Sequence, residues 1–111
     1  MLGSKTEKDL IAWVNEVNPD APIDSFKSAN LANGRNLIKL CGAIEPRVIN
    51  WDLVTAGDTP EEKELNAKYA ISIARKLGAI IFLVWEDIPH LNPKMLMIFV
   101  ASLWDLKNQG K

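Results

Sequence analysis

The chain has 111 residues, 48% apolar and 24% charged, with 13 Lys+Arg against 14 Asp+Glu for a formal charge of −1. That size and balance predict one globular domain with a true core, spanning residues 1–111 and ordered from about residue 5 to 107. The near-zero charge speaks against nucleic acid, which selects basic surfaces, and the apolar run at residues 79–85, which no other exceeds in length, is far too short to span a bilayer.

Met1-Leu2-Gly3-Ser4 has neither the basic region nor the apolar length of a signal peptide. Ser4-Lys5-Thr6-Glu7 fits a capping box, in which the Ser and Glu side chains satisfy each other's free amides, and so opens a first helix. Leu10, Trp13, Val14 and Val17 recur at helical spacing with Ile11 beside them, which leaves Lys8, Ala12, Asn15 and Glu16 on the polar side. Asn18-Pro19-Asp20-Ala21-Pro22 stops the helix, because proline cannot continue it.

Residues 23–32 read as a loop or short helical turn with Ile23 and Phe26 as anchors. Asn33-Gly34 starts a second helix with Asn33 as the cap. Its apolar side, Leu37, Ile38, Leu40, Cys41 and Ile44, is broad enough to predict deep burial, and Pro46 ends it. Residues 48–54 form an apolar connection too short to count as an element.

Thr59-Pro60-Glu61-Glu62 is the clearest helix start, with Thr59 as cap, Pro60 at the first helical position and Glu62 completing the box. Leu65, Tyr69, Ala70, Ile73, Ala74 and Leu77 are the expected buried face of this third helix, and Gly78 its C-terminal cap. Arg75 and Lys76 fall in the last turn, where positive charge suits the helix dipole. Residues 79–85 are rich in β-branched side chains but have no second strand to pair with, so they are expected to form a buried extended connector. Glu86-Asp87 breaks the run, with Asp87 capping a short turn at Ile88. Asn92-Pro93 then opens a last helix lined by Leu96, Phe99, Val100, Leu103 and Leu106 and widened by Met95, Met97 and Trp104. The expected class is all-α, with four substantial helices, short helical turns and no sheet.

Chemistry is sparse along this chain. Cys41 is the lone cysteine, so no internal disulfide forms; this fits a reducing cytosol and a small buried hydrophobe. His90 is the lone histidine, placed in a proline-bounded turn as an exposed loop residue, so no histidine pair exists for metal or general-base work. Zinc spacing and Gly-rich phosphate loops are absent. Four acids in 58–64 sit at a helix start, where carboxylates favour the dipole. The expectation is therefore a non-enzyme without metal or cofactor, acting by binding proteins. Trp13 and Trp104 are expected in the core; Trp51 and Trp85, in connectors, serve either as core plugs or as partner-facing patches.

Read in order, these pieces resemble a calponin-homology domain. The resemblance rests on Leu10-Ile11-Ala12-Trp13-Val14-Asn15, Leu31-Ala32-Asn33-Gly34-Arg35-Asn36-Leu37-Ile38-Lys39-Leu40, Asn66-Ala67-Lys68-Tyr69-Ala70 through Lys76-Leu77-Gly78, and Glu86-Asp87-Ile88 with a last helix ending at Leu103-Trp104. Within that family, Ile23-Asp24-Ser25-Phe26-Lys27, Glu45-Pro46-Arg47-Val48-Ile49-Asn50-Trp51 and Asn92-Pro93-Lys94-Met95 look like the fourth such domain of the fimbrin (plastin) group. One position departs: Trp85 stands where the family usually has Pro before Glu-Asp-Ile.

The resemblance implies an actin-filament-binding module of a bundling protein, cytoplasmic and on the actin cytoskeleton. It would be the second of a tandem pair, weak alone, with filamentous actin and an adjacent calponin-homology domain as partners. The implied filament contact is the exposed side of the first helix, at Lys5, Lys8, Ala12, Asn15 and Glu16. The alternative is a structural or regulatory domain that packs on its neighbour without appreciable actin contact.

Overall fold

The computed structural model describes residues 6–109. They form four α-helices: α1 (Glu7–Val17), α2 (Arg35–Ile44), α3 (Pro60–Leu77) and α4 (Pro93–Gln109). Single 3-10 turns at Ala29–Leu31, Pro46–Val48, Trp51–Leu53 and Trp85–Asp87 punctuate the connections. No strand occurs among the described residues, so the all-α expectation holds.

The helix starts follow local chemistry; α3 and α4 begin at Pro60 and Pro93 as expected, while the caps of α1 and α2 and the box of α3 differ in detail. α1 is capped by Thr6 rather than by Ser4, which together with Lys5 lies outside the described residues. Thr6 is extended (φ −86°, ψ 166°), its Oγ1 accepts from the Asp9 N–H at 3.2 Å, and Asp9 Oδ2 accepts in return from the Thr6 N–H at 3.3 Å. The box is thus Thr6 with Asp9, and Glu7 is simply the first helical residue, at the end where a carboxylate favours the dipole. At α2 the capping residue is Gly34, in the left-handed region (φ 78°), while Asn33 Oδ1 accepts from the Arg35 N–H at 2.9 Å from one residue further back. A Cβ at Gly34 would stand 3.0 Å from Asn66 Cβ, so this start needs glycine for conformation and for closeness to α3. At α3, Thr59 Oγ1 accepts from the Glu62 N–H at 3.1 Å, but Glu62 Oε1 reaches the Asp58 N–H at 2.8 Å instead of closing on Thr59.

α2 is the centre of the packing and touches each of the other three helices. Its Leu37, Ile38, Leu40 and Cys41 are fully buried, which accounts for the broad apolar side read from the sequence. Leu10, Trp13 and Val14 of α1, Ala67, Ala70, Ile73 and Ala74 of α3, and Leu96, Phe99, Val100 and Leu103 of α4 close the core around it. Burying each large aliphatic or aromatic member contributes about 1.5–3 kcal/mol against exposure. Ile23 and Phe26 anchor the loop after α1, as expected.

Two expectations are overturned. Leu65 is 56% exposed; the buried face of α3 runs through Asn66, Ala67, Ala70, Ile71, Ile73 and Ala74 instead. The displacement has a cause: Asn66 is drawn inward by loop carbonyls that need its amide, which turns Leu65 outward. The 79–85 connector is extended but only half-buried. Leu83 faces the core, while Ile80, Phe82 and Val84 face outward. An extended chain sends alternate side chains to opposite sides, so a run packed on one side must expose every second residue. The Ser102 hydroxyl fastens its start, accepting from the Ile80 N–H at 3.1 Å and donating to the Ile80 carbonyl at 3.3 Å. A smaller correction concerns Asp87, whose carboxylate accepts from the Val84 N–H at 3.0 Å and so caps the Trp85–Asp87 turn rather than one at Ile88.

The tryptophans divide as their positions suggest. Trp13 is 3% exposed and meets Trp104 edge-on, with ring centroids 5.3 Å apart at 77°. Trp51 is exposed, and Trp85 is half-buried with Lys68 Nζ 5.4 Å from its ring centroid.

Candidate functional site

The outer face of α1 carries Lys8, Ala12 and Glu16, all exposed. Spacing of four residues stacks them in one stripe along the helix. Lys5 lies outside the described residues. Lys8 makes no ion pair with a described residue; the pairs among them are Arg47–Glu45 and Lys68–Glu64. Its position runs against local preference, because the first turn of a helix favours carboxylates by about 0.3–1 kcal/mol. A lysine there, with no ion-pair partner among the described residues, is an uncommitted cation on the exposed side of the helix.

Asn15 stands apart from the stripe. It is half-buried, and its amide brackets one residue of the following loop: Oδ1 accepts from the Ile23 N–H at 2.7 Å and Nδ2 donates to the Ile23 carbonyl at 2.9 Å. This two-point clamp holds the loop against the helix that bears the stripe. A second set of amides extends the clamp. Asn18 Nδ2 donates to Asn36 Oδ1, Asn36 Nδ2 donates to the Ala21 carbonyl at 3.1 Å, and Lys39 Nζ donates to Asn18 Oδ1 at 3.1 Å. Across the domain Asn66 does the same work, accepting from the Thr55 N–H at 2.8 Å and donating to the Asn33 carbonyl at 2.8 Å. Buried asparagines therefore fix the loops that α1 and α2 leave behind. Sequence reasoning missed them; the one available signal was a polar residue lodged on a face that is otherwise apolar.

Among the described residues the lone cysteine and the lone histidine stand apart from each other, one in the core and one on the surface. Cys41 is fully buried, and burial pushes its thiol up to about 12. The nucleophilic thiolate is then about a thousandfold scarcer than at its ordinary value of 9.0. Alkylation of Cys41 by iodoacetamide is accordingly expected to be negligible in the native protein at pH 8 and rapid in urea, as peptide mass spectrometry would read. Fast labelling without denaturant would contradict the burial. His90 is exposed on its turn. No group of three His, Cys, Asp or Glu side chains is placed to hold a metal ion among the described residues. No helix among them is long and apolar enough to cross a membrane.

Comparison with known proteins gives a consistent picture. Residues 4–109 match the family described as the calponin homology (CH) domain. Fimbrin-4 of Arabidopsis thaliana is 48% identical over 111 residues, covering 95% of this chain and 17% of the relative. The fimbrin of Saccharomyces cerevisiae is 40% identical over 105 residues (91% and 16%), and human plastin-3 is 39% identical over 107 (91% and 17%). The chain thus spans about one sixth of the length of the curated relatives it matches. Among solved structures, the actin-crosslinking core of Schizosaccharomyces pombe fimbrin superposes with a TM-score of 0.84 at 35% identity, over 90% of this chain and 22% of that one.

Proposed function

Because the chain belongs to the calponin homology family, we propose that it is an actin-filament-binding module of a fimbrin-type bundling protein, the second domain of a tandem pair and weak on its own. The observation that carries this reading is the superposition on a fimbrin core described as actin-crosslinking, at an identity high enough to mean more than a shared fold. Its setting would be the cytoplasmic actin cytoskeleton, with filamentous actin and an adjacent calponin-homology domain as partners.

On this reading the contact is the α1 stripe of Lys8, Ala12 and Glu16, with Lys5, outside the described residues, as the other cation expected from the sequence, while Asn15 acts behind it by holding the loop in place. Exposed lysines at the rim of an interface chiefly steer association and make it sensitive to salt. A contact this small gains strength by tethering, because a linked second domain meets the filament at a high effective concentration. Co-sedimentation with filamentous actin at low and high salt tests the proposal. Weak, salt-sensitive pelleting is expected, reduced about three- to tenfold at low salt by Lys5→Glu with Lys8→Glu. Unchanged pelleting of the double variant would move the contact off α1.

A second reading has its own support: Trp51 and Leu53, the two ends of one 3-10 turn after α2, are 48% and 57% exposed. Large apolar side chains held in water at one place fit a domain that packs on its neighbour and leaves filament contact to it. Absence of pelleting at any concentration would favour that role.

A further inference from the structure

We propose that the cleft between α3 and the 79–84 connector receives an extended, carboxylate-bearing segment of a partner protein, which adds to the connector as a strand. The cleft holds about 390 Å³ and is lined by Lys68, Ile71 and Arg75 of α3 and by Leu83, Val84 and Trp85. No residue of α1 lines this cleft.

The backbone supplies the first reason. The connector follows the two-residue alternation of a strand, yet the N–H groups of Ile81, Phe82 and Leu83 donate to no acceptor among the described residues. In an extended chain the N–H and C=O of alternate residues point to opposite edges. Ile80 spends both of its groups on the Ser102 hydroxyl of α4, so Ile81 and Leu83 present theirs to the opposite edge, and Leu83 lines the cleft against α3. That row is a strand edge with nothing paired to it, the feature that peptide recognition by strand addition uses. A helix has no free backbone groups along its middle and could not satisfy such a row.

Charge supplies the second reason and selects the occupant. Among the described residues Arg75, which is exposed, enters no ion pair, and Lys68 pairs with Glu64 alone, at 2.6 Å in an exposed pairing of the kind that contributes little. Lys68 also lies over Trp85, which forms one end of the cleft. Two cations beside an apolar floor complement a segment that alternates apolar and acidic side chains. Its apolar members would settle on Ile71, Leu83 and Trp85, and its carboxylates would meet Arg75 and Lys68.

The test uses the isolated protein and two short blocked peptides, one alternating valine with glutamate and the other valine with lysine. Titration followed by amide NMR, with hydrogen exchange read residue by residue, is expected to show salt-weakened binding of the glutamate peptide. Exchange at Ile81 and Leu83 should slow at least tenfold, and the lysine peptide should leave the spectrum unchanged. Arg75→Glu, an exposed substitution that leaves the core alone, should weaken the glutamate peptide about tenfold, and Lys68→Glu should act in the same direction. No shifts at the solubility limit, equal binding of the two peptides, or binding without slowed exchange at Ile81 and Leu83 would each overturn the proposal.

Discussion

Replacing Asn66 by leucine is expected to lower folding stability by about 3 kcal/mol, although leucine is close to asparagine in size and far more apolar. Asn66 is fully buried, and its amide makes three bonds: from the Thr55 N–H at 2.8 Å, to the Asn33 carbonyl at 2.8 Å and to the Thr55 carbonyl at 3.2 Å. The Thr55 carbonyl keeps a second donor, the Arg35 guanidinium at 2.6 Å. The Thr55 N–H and the Asn33 carbonyl, both half-buried, lose theirs, and each group left without a partner costs about 1–3 kcal/mol where water does not reach it. The gain from burying leucine offsets only part of that loss. With an m-value of about 1.5 kcal/mol/M, the urea midpoint should fall by about 2 M. Leu65→Asn, one position away and exposed, should move the midpoint little. A near-neutral Asn66→Leu would mean that water takes over the two groups, and the amide would then not be what holds the loop to α3.

Phe26→Ala should cost about 3–4 kcal/mol and lower Tm by roughly 15 °C. Phe26 is 1% exposed although it lies outside any helix, so it is the main apolar tie between the loop after α1 and the core. Its neighbours are organised by Ser28, whose hydroxyl accepts from the Asp24 N–H at 3.1 Å and the Ser25 N–H at 3.3 Å and donates to Asp24 Oδ1 at 2.8 Å. Such a local turn holds its shape but contributes little free energy until the phenyl ring is seated. The variant should therefore be cut early within residues 20–30 by limited proteolysis, ahead of global unfolding. Phe82→Ala is the matched control, the same chemical change at a residue 62% exposed, and thermal unfolding should barely register it. Equal losses for the two would show that burial is not what distinguishes them.

The four helices were legible because their signals are local. A hydroxyl cap, a proline at the first helical position, a glycine at the end and an apolar side of helical period sit within a few residues of each other at α3, and the helix runs where they say. What was not legible depends on distant partners. Nothing near Asn66 announces that the carbonyl of Asn33, 33 positions earlier, will need a donor, so the period of α3 was read with Leu65 inside. Likewise a run as apolar as 79–85 looks buried until the helices it crosses are known to cover only one of its sides. On α1 the exposed positions were correctly separated from the apolar ones at Lys8, Ala12 and Glu16. Asn15, which looks equally polar in sequence, is spent on Ile23, because whether an amide faces solvent or a loop is decided by where the loop returns.

α2 has only ten residues and lies against all three other helices. A helix that short is marginal in water by itself, since nucleating its first turn is unfavourable and few residues follow to recover the loss. It therefore exists only while its neighbours surround it, and they enclose a core only while it is present. Chemical and thermal melts monitored by far-UV signal and by tryptophan fluorescence should for that reason coincide, with no stage in which part of the bundle survives alone.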